Sequence, residues 1–250
     1  MISVNDVYSF IDSFAPFSKQ FEWDNAGLLI GDSSAQVTKI AFALDATSQV
    51  IEDAARQGCN LLVTHHPVIF NPLSKIGFSS PAAVAVRNGV AVISAHTNLD
   101  VAHDGVNAAL AEKLGLRDVI ACLDGENIIW LGKVDAVSAP DFANKIKAAL
   151  GGGVSYSDCG KMIEKVAVCG GAAGEYVYPI AAAGADAFVT GEVHHHEFLD
   201  SVPLGISVFA AGHYETENPV IPVLEKKIRE HFRVPTVIIN QNKPTYYCGE

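Results

Sequence analysis

No run of apolar residues in this 250-residue chain is long enough to cross a bilayer. The opening residues Met1-Ile2-Ser3-Val4-Asn5-Asp6 lack a basic stretch followed by an apolar one, so no signal peptide is read there. Basic residues are few: 17 Lys and Arg stand against 28 Asp and Glu, a formal net charge of −11. That balance argues against general nucleic-acid binding, which relies on clustered cations to neutralise phosphates. An anionic small molecule stays compatible with it, because bound metal ions reverse a local potential. The five cysteines, Cys59, Cys122, Cys159, Cys169 and Cys248, are scattered and show no CxxC spacing. They offer no thiolate zinc cage and suit a reducing compartment. Cys59 and Cys169 lie in or beside apolar segments and are expected as small core residues. No G-x-S-x-G elbow is present, which disfavours a Ser-His-Asp hydrolase. No G-x-G-x-x-G opens a helix after the first strand, which disfavours a dinucleotide-dependent dehydrogenase. These absences lead to the expectation of a cytoplasmic protein.

What is present is an alternation of apolar strands and amphipathic helices. Apolar residues make up 49% of the chain and charged residues 18%, enough for a sizeable core. Ser3 and Asp6 mark the start of a helix carrying Val4, Val7, Tyr8, Ile11 and Phe14 on one face. Strands are expected over 39–45, 61–64, 90–95, 128–134, 165–169, 187–190, 206–211 and 236–239. Helices are expected over 48–57, 81–88, 106–114, 139–150, 176–183 and 217–232. This order implies an α/β fold of two lobes with mixed, largely parallel sheets. The expected first lobe combines 1–125 with 205–250, and the second, starting near Asn127, spans 126–204. In such sheets ligands bind outside the carboxyl ends of strands.

That position is where the chemistry-bearing residues cluster. His65-His66-Pro67 follows the strand Leu61–Thr64, and Pro67 favours the turn that lets adjacent imidazoles reach one site. His96 and Asp100 follow the next strand. Glu192 and the run His194-His195-His196 follow 187–190, and Gly212-His213-x-x-x-Glu217 follows 206–211. His213 and Glu217 are spaced i, i+4 and share a face if a helix starts at the glycine. The set His65, His66, Asp100, His213 and Glu217 exceeds what one catalytic zinc takes and suits two ions a few Å apart. Mixed imidazole and carboxylate donors favour Zn, Mn, Fe or Ni over Ca or Mg. Such a pair lowers the pKa of water between the ions and polarises the bond it attacks. For any single histidine, a separate polar role at a strand end is the simpler account. The adjacent pair together with G-H-x-x-x-E favours metal.

The remaining residues admit alternatives. Glu192 reads either as an outer-shell or proton-carrying group, or as a first-turn acid of a helix. His96 reads as a ligand, an outer-shell donor or a substrate contact, the last two being preferred because Asp100 completes the count. Asp45 ends a strand and reads as a residue lining the same cleft or as a turn or cap residue in Asp45-Ala46-Thr47, the latter being preferred. Asn25-Ala26-Gly27 reads as a ligand contact or a turn. Gly170-Gly171-Ala172-Ala173-Gly174 reads as a phosphate cradle or as tight helix–sheet packing, and it lacks the P-loop Lys-Ser/Thr.

Six stretches resemble a known family, the Nif-three-like dinuclear-metal proteins, also called GTP cyclohydrolase I type 2 homologues. They are Trp23-Asp24-Asn25-Ala26-Gly27-Leu28, Val63-Thr64-His65-His66-Pro67, His96-Thr97-Asn98-Leu99-Asp100, 169–174, 186–192 and Gly212-His213-Tyr214-Glu215-Thr216-Glu217. The resemblance implies the short form of the family, a two-metal site held by the same five donors, and a ring-like homohexamer. It also implies opening of the guanine imidazole ring of GTP with release of formate. The expected function is a two-metal hydrolase of a nucleotide or related small molecule, with Glu192 and His96 as candidate catalytic groups. A metal-dependent phosphoesterase and a non-enzymatic metal-binding or scaffold protein are the alternatives. No membrane partner is expected.

Overall fold

The computed structural model describes residues 2–122, 128–241 and 245, with the backbone alone at Cys122. The expected lobe boundary at 125/126, the expected start near Asn127, and Cys248 lie outside the described residues. The chain divides into two compact units, residues 1–103 with 220–242, and residues 104–219 with 243–250.

The first unit contains β1 (Ile2–Ser3), α1 (Val4–Phe14), β2 (Gly27–Ile30), β3 (Gln36–Val37), β4 (Ile40–Ala43), α2 (Ser48–Arg56) and β5 (Leu61–Thr64). It continues with α3 (Pro81–Asn88), β6 (Ala91–Ser94) and α4 (Thr97–Asp100). The later segments α10 (Val220–Phe232) and β13 (Thr236–Ile238) complete it. Ser3 caps α1 reciprocally: its side chain accepts from Asp6 N while Asp6 accepts from Ser3 N. This satisfies two backbone donors that the first helical turn leaves open. Pro81 starts α3 where its missing N–H costs nothing, and Gly89 ends it at φ +64°. The sheet order is β13-β4-β5-β6-β2; all pairs are parallel except the antiparallel edge β2. Ala41, Ala43, Leu62 and Val92 point to one face, against Val50, Ile51 and Ala54 of α2 and Val84 and Ala85 of α3. Their neighbours Phe42, Val63 and Ile93 are buried on the opposite face, as strand alternation requires.

The second unit contains α5 (Val106–Lys113), β7 (Arg117–Cys122), β8 (Ile129–Val137), α6 (Ala139–Leu150), β9 (Ser155–Tyr156) and β10 (Ile163–Val168). α7 (Val177–Ala182), β11 (Ala187–Thr190), α8 (His195–Leu204), β12 (Ser207–Ala210) and α9 (His213–Glu217) follow. Its sheet order is β7-β8-β10-β11-β12-β9. Only β10-β11 and β11-β12 are parallel, so this sheet is mixed rather than largely parallel. Val166, Val168, Val189 and Phe209 pack with Leu110 of α5 and with Phe142 and Ile146 of α6. Ala167, Cys169, Phe188 and Val208 pack on the other face with Val177 and Ile180 of α7. Cys59 and Cys169 are core residues, as expected.

Three expectations are corrected. Residues 104–122 belong to the second unit, because β7 pairs with β8 there. Residues 205–219 belong to it as well, because β12 pairs with β11, and only α10 and β13 return to the first sheet. The helix expected over 217–232 is two helices, α9 and α10, interrupted at Asn218-Pro219. Proline has no N–H for the helical ladder and crowds the residue before it. Among the described residues no helix is long and apolar enough to cross a membrane.

Candidate metal centre

In the first unit, three adjacent parallel strands each end on a polar side chain. β4 runs into Asp45, β5 into His65 and His66, and β6 into His96. The antiparallel β2 places Asp24 just ahead of its first residue, which pairs with Ser94 at the end of β6. The ligating nitrogens of His65, His66 and His96 lie within 4.8 Å of one another and can hold a metal ion. His65 is fully buried, and the side chains of His66 and His96 are 24% and 15% exposed.

Each of these rings is held by an oxygen that can only accept. His65 Nδ1 donates to Ala95 O at 2.8 Å, His66 Nδ1 to Asp45 Oδ1 at 2.6 Å, and His96 Nδ1 to Asp24 Oδ1 at 2.8 Å. A ring that donates from Nδ1 carries its lone pair on Nε2 when neutral, the state a metal ligand needs. Outer partners of this kind set tautomer and orientation at metal-binding histidines. Asp100 Oδ1 lies 3.6 Å from His65 Nε2.

The orienting carboxylates are themselves tied down. Asp45 Oδ2 accepts from the Gln241 amide, while Asp45 N donates to Gln241 Oε1 at 3.0 Å. Asp24 Oδ2 accepts from Thr97 N and Thr97 Oγ1. Burial pushes the Asp24 carboxyl up, but hydrogen bonds from His96 and Thr97 outweigh it and hold the group at about 2, below the usual 3.8. Asp24 thus gains an orienting role that the sequence reading missed, and Asp45, preferred there as a turn or cap residue, instead takes its alternative place beside the histidines, orienting His66. The Trp-Asp-Asn motif was visible, but no spacing rule ties Asp24 to a histidine 72 residues away. Asn25 Nδ2 donates to Ile69 O at 2.6 Å, which joins two loops of the first unit.

The second unit repeats the strand-end arrangement with different donors. β10 leads into Cys169-Gly170-Gly171, β11 into Gly191-Glu192, and β12 into Gly212-His213. α9 begins at His213, so His213 and Glu217 do share a face, with Nε2 3.2 Å from Glu217 Oε2. His213 Nδ1 donates to Glu192 Oε1 at 2.8 Å. Glu192 therefore stands behind His213. It is not a first-turn acid, since α8 starts only at His195. That helix instead uses Glu197, which accepts from His194 N at 2.6 Å.

The glycines after β10 serve close packing. Gly171, at φ +70°, passes so near Glu217 that a Cβ would collide with Oε1. A Cβ at Gly191 would sit 2.6 Å from Gly171 O and 2.8 Å from His213 Cα. Two N–H groups of the supposed phosphate cradle are used internally: Gly170 N donates to Asn107 Oδ1 and Gly171 N to Thr216 Oγ1. The packing account thus prevails over the cradle.

Imidazole Nε2 facing carboxylate recurs in both units. With Nδ1 as donor, Nε2 and the facing oxygen present lone pairs to each other unless a proton or metal cation lies between them. The donor chemistry therefore fits a divalent ion.

Comparison with known proteins agrees along the length of the chain. A GTP cyclohydrolase 1 type 2 homolog of Clostridium acetobutylicum is 32% identical over 241 residues, covering 91% of this chain and 90% of that protein. A protein of the same name from Clostridium perfringens is 30% identical, covering 92% of each. The crystal structure of a Staphylococcus aureus hypothetical protein superposes with a TM-score of 0.91 at 26% identity, covering 98% of this chain and 99% of that one. Residues 2–244 match the Duf34/NIF3 (NGG1p interacting factor 3) family, and the chain belongs to it.

Proposed function

We propose that this protein is a metal-dependent hydrolase acting on a nucleotide or related small molecule, with GTP as the first candidate. The observation that carries this reading is the uniform state of the four strand-end histidines, each with Nδ1 on an acceptor oxygen. His65, His66, Asp100, His213 and Glu217 are the proposed donors for two divalent ions, drawn from Zn, Mn, Fe or Ni. Such ions, when bound, supply Lewis-acid stabilisation of developing negative charge.

The chain's own residues then have separate tasks. Ala95 O, Asp45 and Glu192 keep Nε2 of His65, His66 and His213 available as donors. His96, oriented by Asp24, contacts the substrate. Glu192 is 60% exposed, and its carboxylate is the proposed group for exchanging a proton with solvent. The curated relatives carry a GTP cyclohydrolase name. For a guanine ring that chemistry adds water at C8, opens the imidazole ring and releases formate by a further hydrolysis. The working form is proposed to be a cytoplasmic homohexamer.

The test is incubation of metal-reconstituted protein with GTP, scored for both formate and inorganic phosphate. Metal-dependent formate release is expected. Phosphate without formate selects a phosphoesterase, and neither product across a nucleotide panel selects a non-enzymatic metal-binding or scaffold role.

A further inference from the structure

Beside His96 the first unit exposes two large aromatic rings that its core does not use. Trp23 is 59% exposed and Phe70 is 44% exposed. Their ring centroids are 5.9 Å apart, and each meets the His96 ring edge-on at 6.1 Å. Phe21 backs Trp23 at 5.7 Å. Exposed aromatics on a loose loop would carry little meaning, but this loop is fixed on both sides of Trp23. Phe21 N donates to Thr97 Oγ1 at 3.0 Å, and the Asp24 carboxylate is held by His96 and Thr97. The Phe70 loop is tied to the same segment through the bond from Asn25 Nδ2 to Ile69 O. Two apolar faces are thus held in place next to the His96 imidazole, with the rings themselves left partly open to solvent.

We infer that Trp23 and Phe70 form a stacking wall for a planar aromatic ring of the substrate, seated against His96. Choosing a purine base as that ring rests on the proposed function; the wall itself requires only a flat π-system. Ring stacking on an aromatic side chain tolerates sequence and substituents, because every base has a π-face. The wall makes Trp23 and Phe70 specificity-determining residues, separate from the proposed metal donors.

Fluorescence gives a direct readout, because the only other tryptophan, Trp130, is buried in the second unit. Guanosine is expected to quench Trp23 emission saturably, while ribose 5-phosphate and tripolyphosphate, which have no aromatic ring, leave it unchanged. By calorimetry, Trp23→Ala is expected to weaken guanosine binding about ten-fold or more, with metal content and circular dichroism unchanged. Trp23→Phe is expected to recover binding to within about three-fold of the native chain. Unchanged guanosine affinity in both Trp23→Ala and Phe70→Ala overturns the wall. Emission that shifts with protein concentration alone, without ligand, also overturns it, because a second copy then covers these rings. If guanosine binds through Trp23 but neither formate nor phosphate is released across the nucleotide panel, the hydrolase reading fails and the wall stands. If formate is released and both Trp23→Ala and Phe70→Ala leave the KM for GTP unchanged, the wall alone fails.

Discussion

The two units place polar side chains at the same point of their folds and secure them differently. In the first, two neighbouring parallel strands deliver three histidines, one of them fully buried, and the carboxylates behind two of them are themselves anchored by Gln241 and Thr97. In the second, a single histidine on a five-residue helix faces a nearly buried Glu217 and is oriented by an exposed Glu192. Strand ends in a parallel ladder are spaced by the ladder itself, so donors there are positioned before any ion arrives. A donor on a short helix depends on the loops that support it, here the glycine contacts around Gly171 and Gly191. The first unit is therefore expected to dominate metal affinity and the second to tune it.

The largest effect should come from His65→Ala, which removes a buried ring together with its bond to Ala95 O. Metal affinity is expected to fall by more than the roughly 10–100-fold that loss of an outer partner costs. Glu217→Ala should also lower metal content, by less, because His213 and its orienting partner remain. Equilibrium dialysis at buffered free zinc measures both, with circular dichroism as the control for folding. Native-like occupancy in both variants would remove these residues from the donor set. A larger loss in Glu217→Ala than in His65→Ala would reverse the ranking of the units.

Asp24→Asn should produce the next largest effect, this time on the stability of metal-free protein. The Asp24 side chain is fully buried and accepts from His96 and Thr97. An amide in its place turns one acceptor into a donor against a donor, at a cost of about 2 kcal/mol. The sign of the pH dependence follows from the lowered pKa. The folded carboxyl titrates near 2 and the unfolded one near 3.8. Its stabilisation is therefore complete above about 3.8 and disappears as pH falls toward 2. Urea midpoints of the two proteins should differ at pH 7 and converge on acidification through that window. A gap that stays constant down to pH 2 would show that ionised Asp24 does not provide the difference.

Much of this arrangement is legible in the sequence, for reasons that separate cleanly. Strands such as Leu61–Thr64 and Ala187–Thr190 are uninterrupted apolar runs bounded by polar residues, and helices over 81–88 and 139–150 carry proline starts and glycine stops. Local chemistry fixes those boundaries. His213 and Glu217 were placed on one face by spacing alone, and α9 carries them so. Unit membership was harder, because the partner of a strand is a long-range choice. β12 joins β11 although the chain continues into α10, which returns to the other sheet. The short strand β9 pairs with β12 through only two residues, too few for periodicity to reveal. The strand-end position of Asp45 was legible, but which histidines Asp24 and Asp45 orient was hidden for the same reason: they lie 72 and 21 residues from them.

The smallest effect, and the sharpest test of the contrast, comes from two conservative changes behind equivalent rings. Asp45→Asn and Glu192→Gln each retain an amide oxygen that can accept from Nδ1 of the histidine in front. Asp45 is only 30% exposed, and Gln241 holds it by two hydrogen bonds, so its replacement forces a rearrangement. Glu192 is 60% exposed and can turn its new amide nitrogen to water. Metal affinity is expected to fall about ten-fold or more for Asp45→Asn and less than that for Glu192→Gln. The Glu192 variant should nevertheless lose turnover beyond its loss of metal, if its outer oxygen moves a proton. Turnover that tracks metal content alone would confine Glu192 to orienting His213. A greater affinity loss in Glu192→Gln than in Asp45→Asn would mean that exposure does not weaken an orienting carboxylate here, and the contrast between the two units would lose its physical basis.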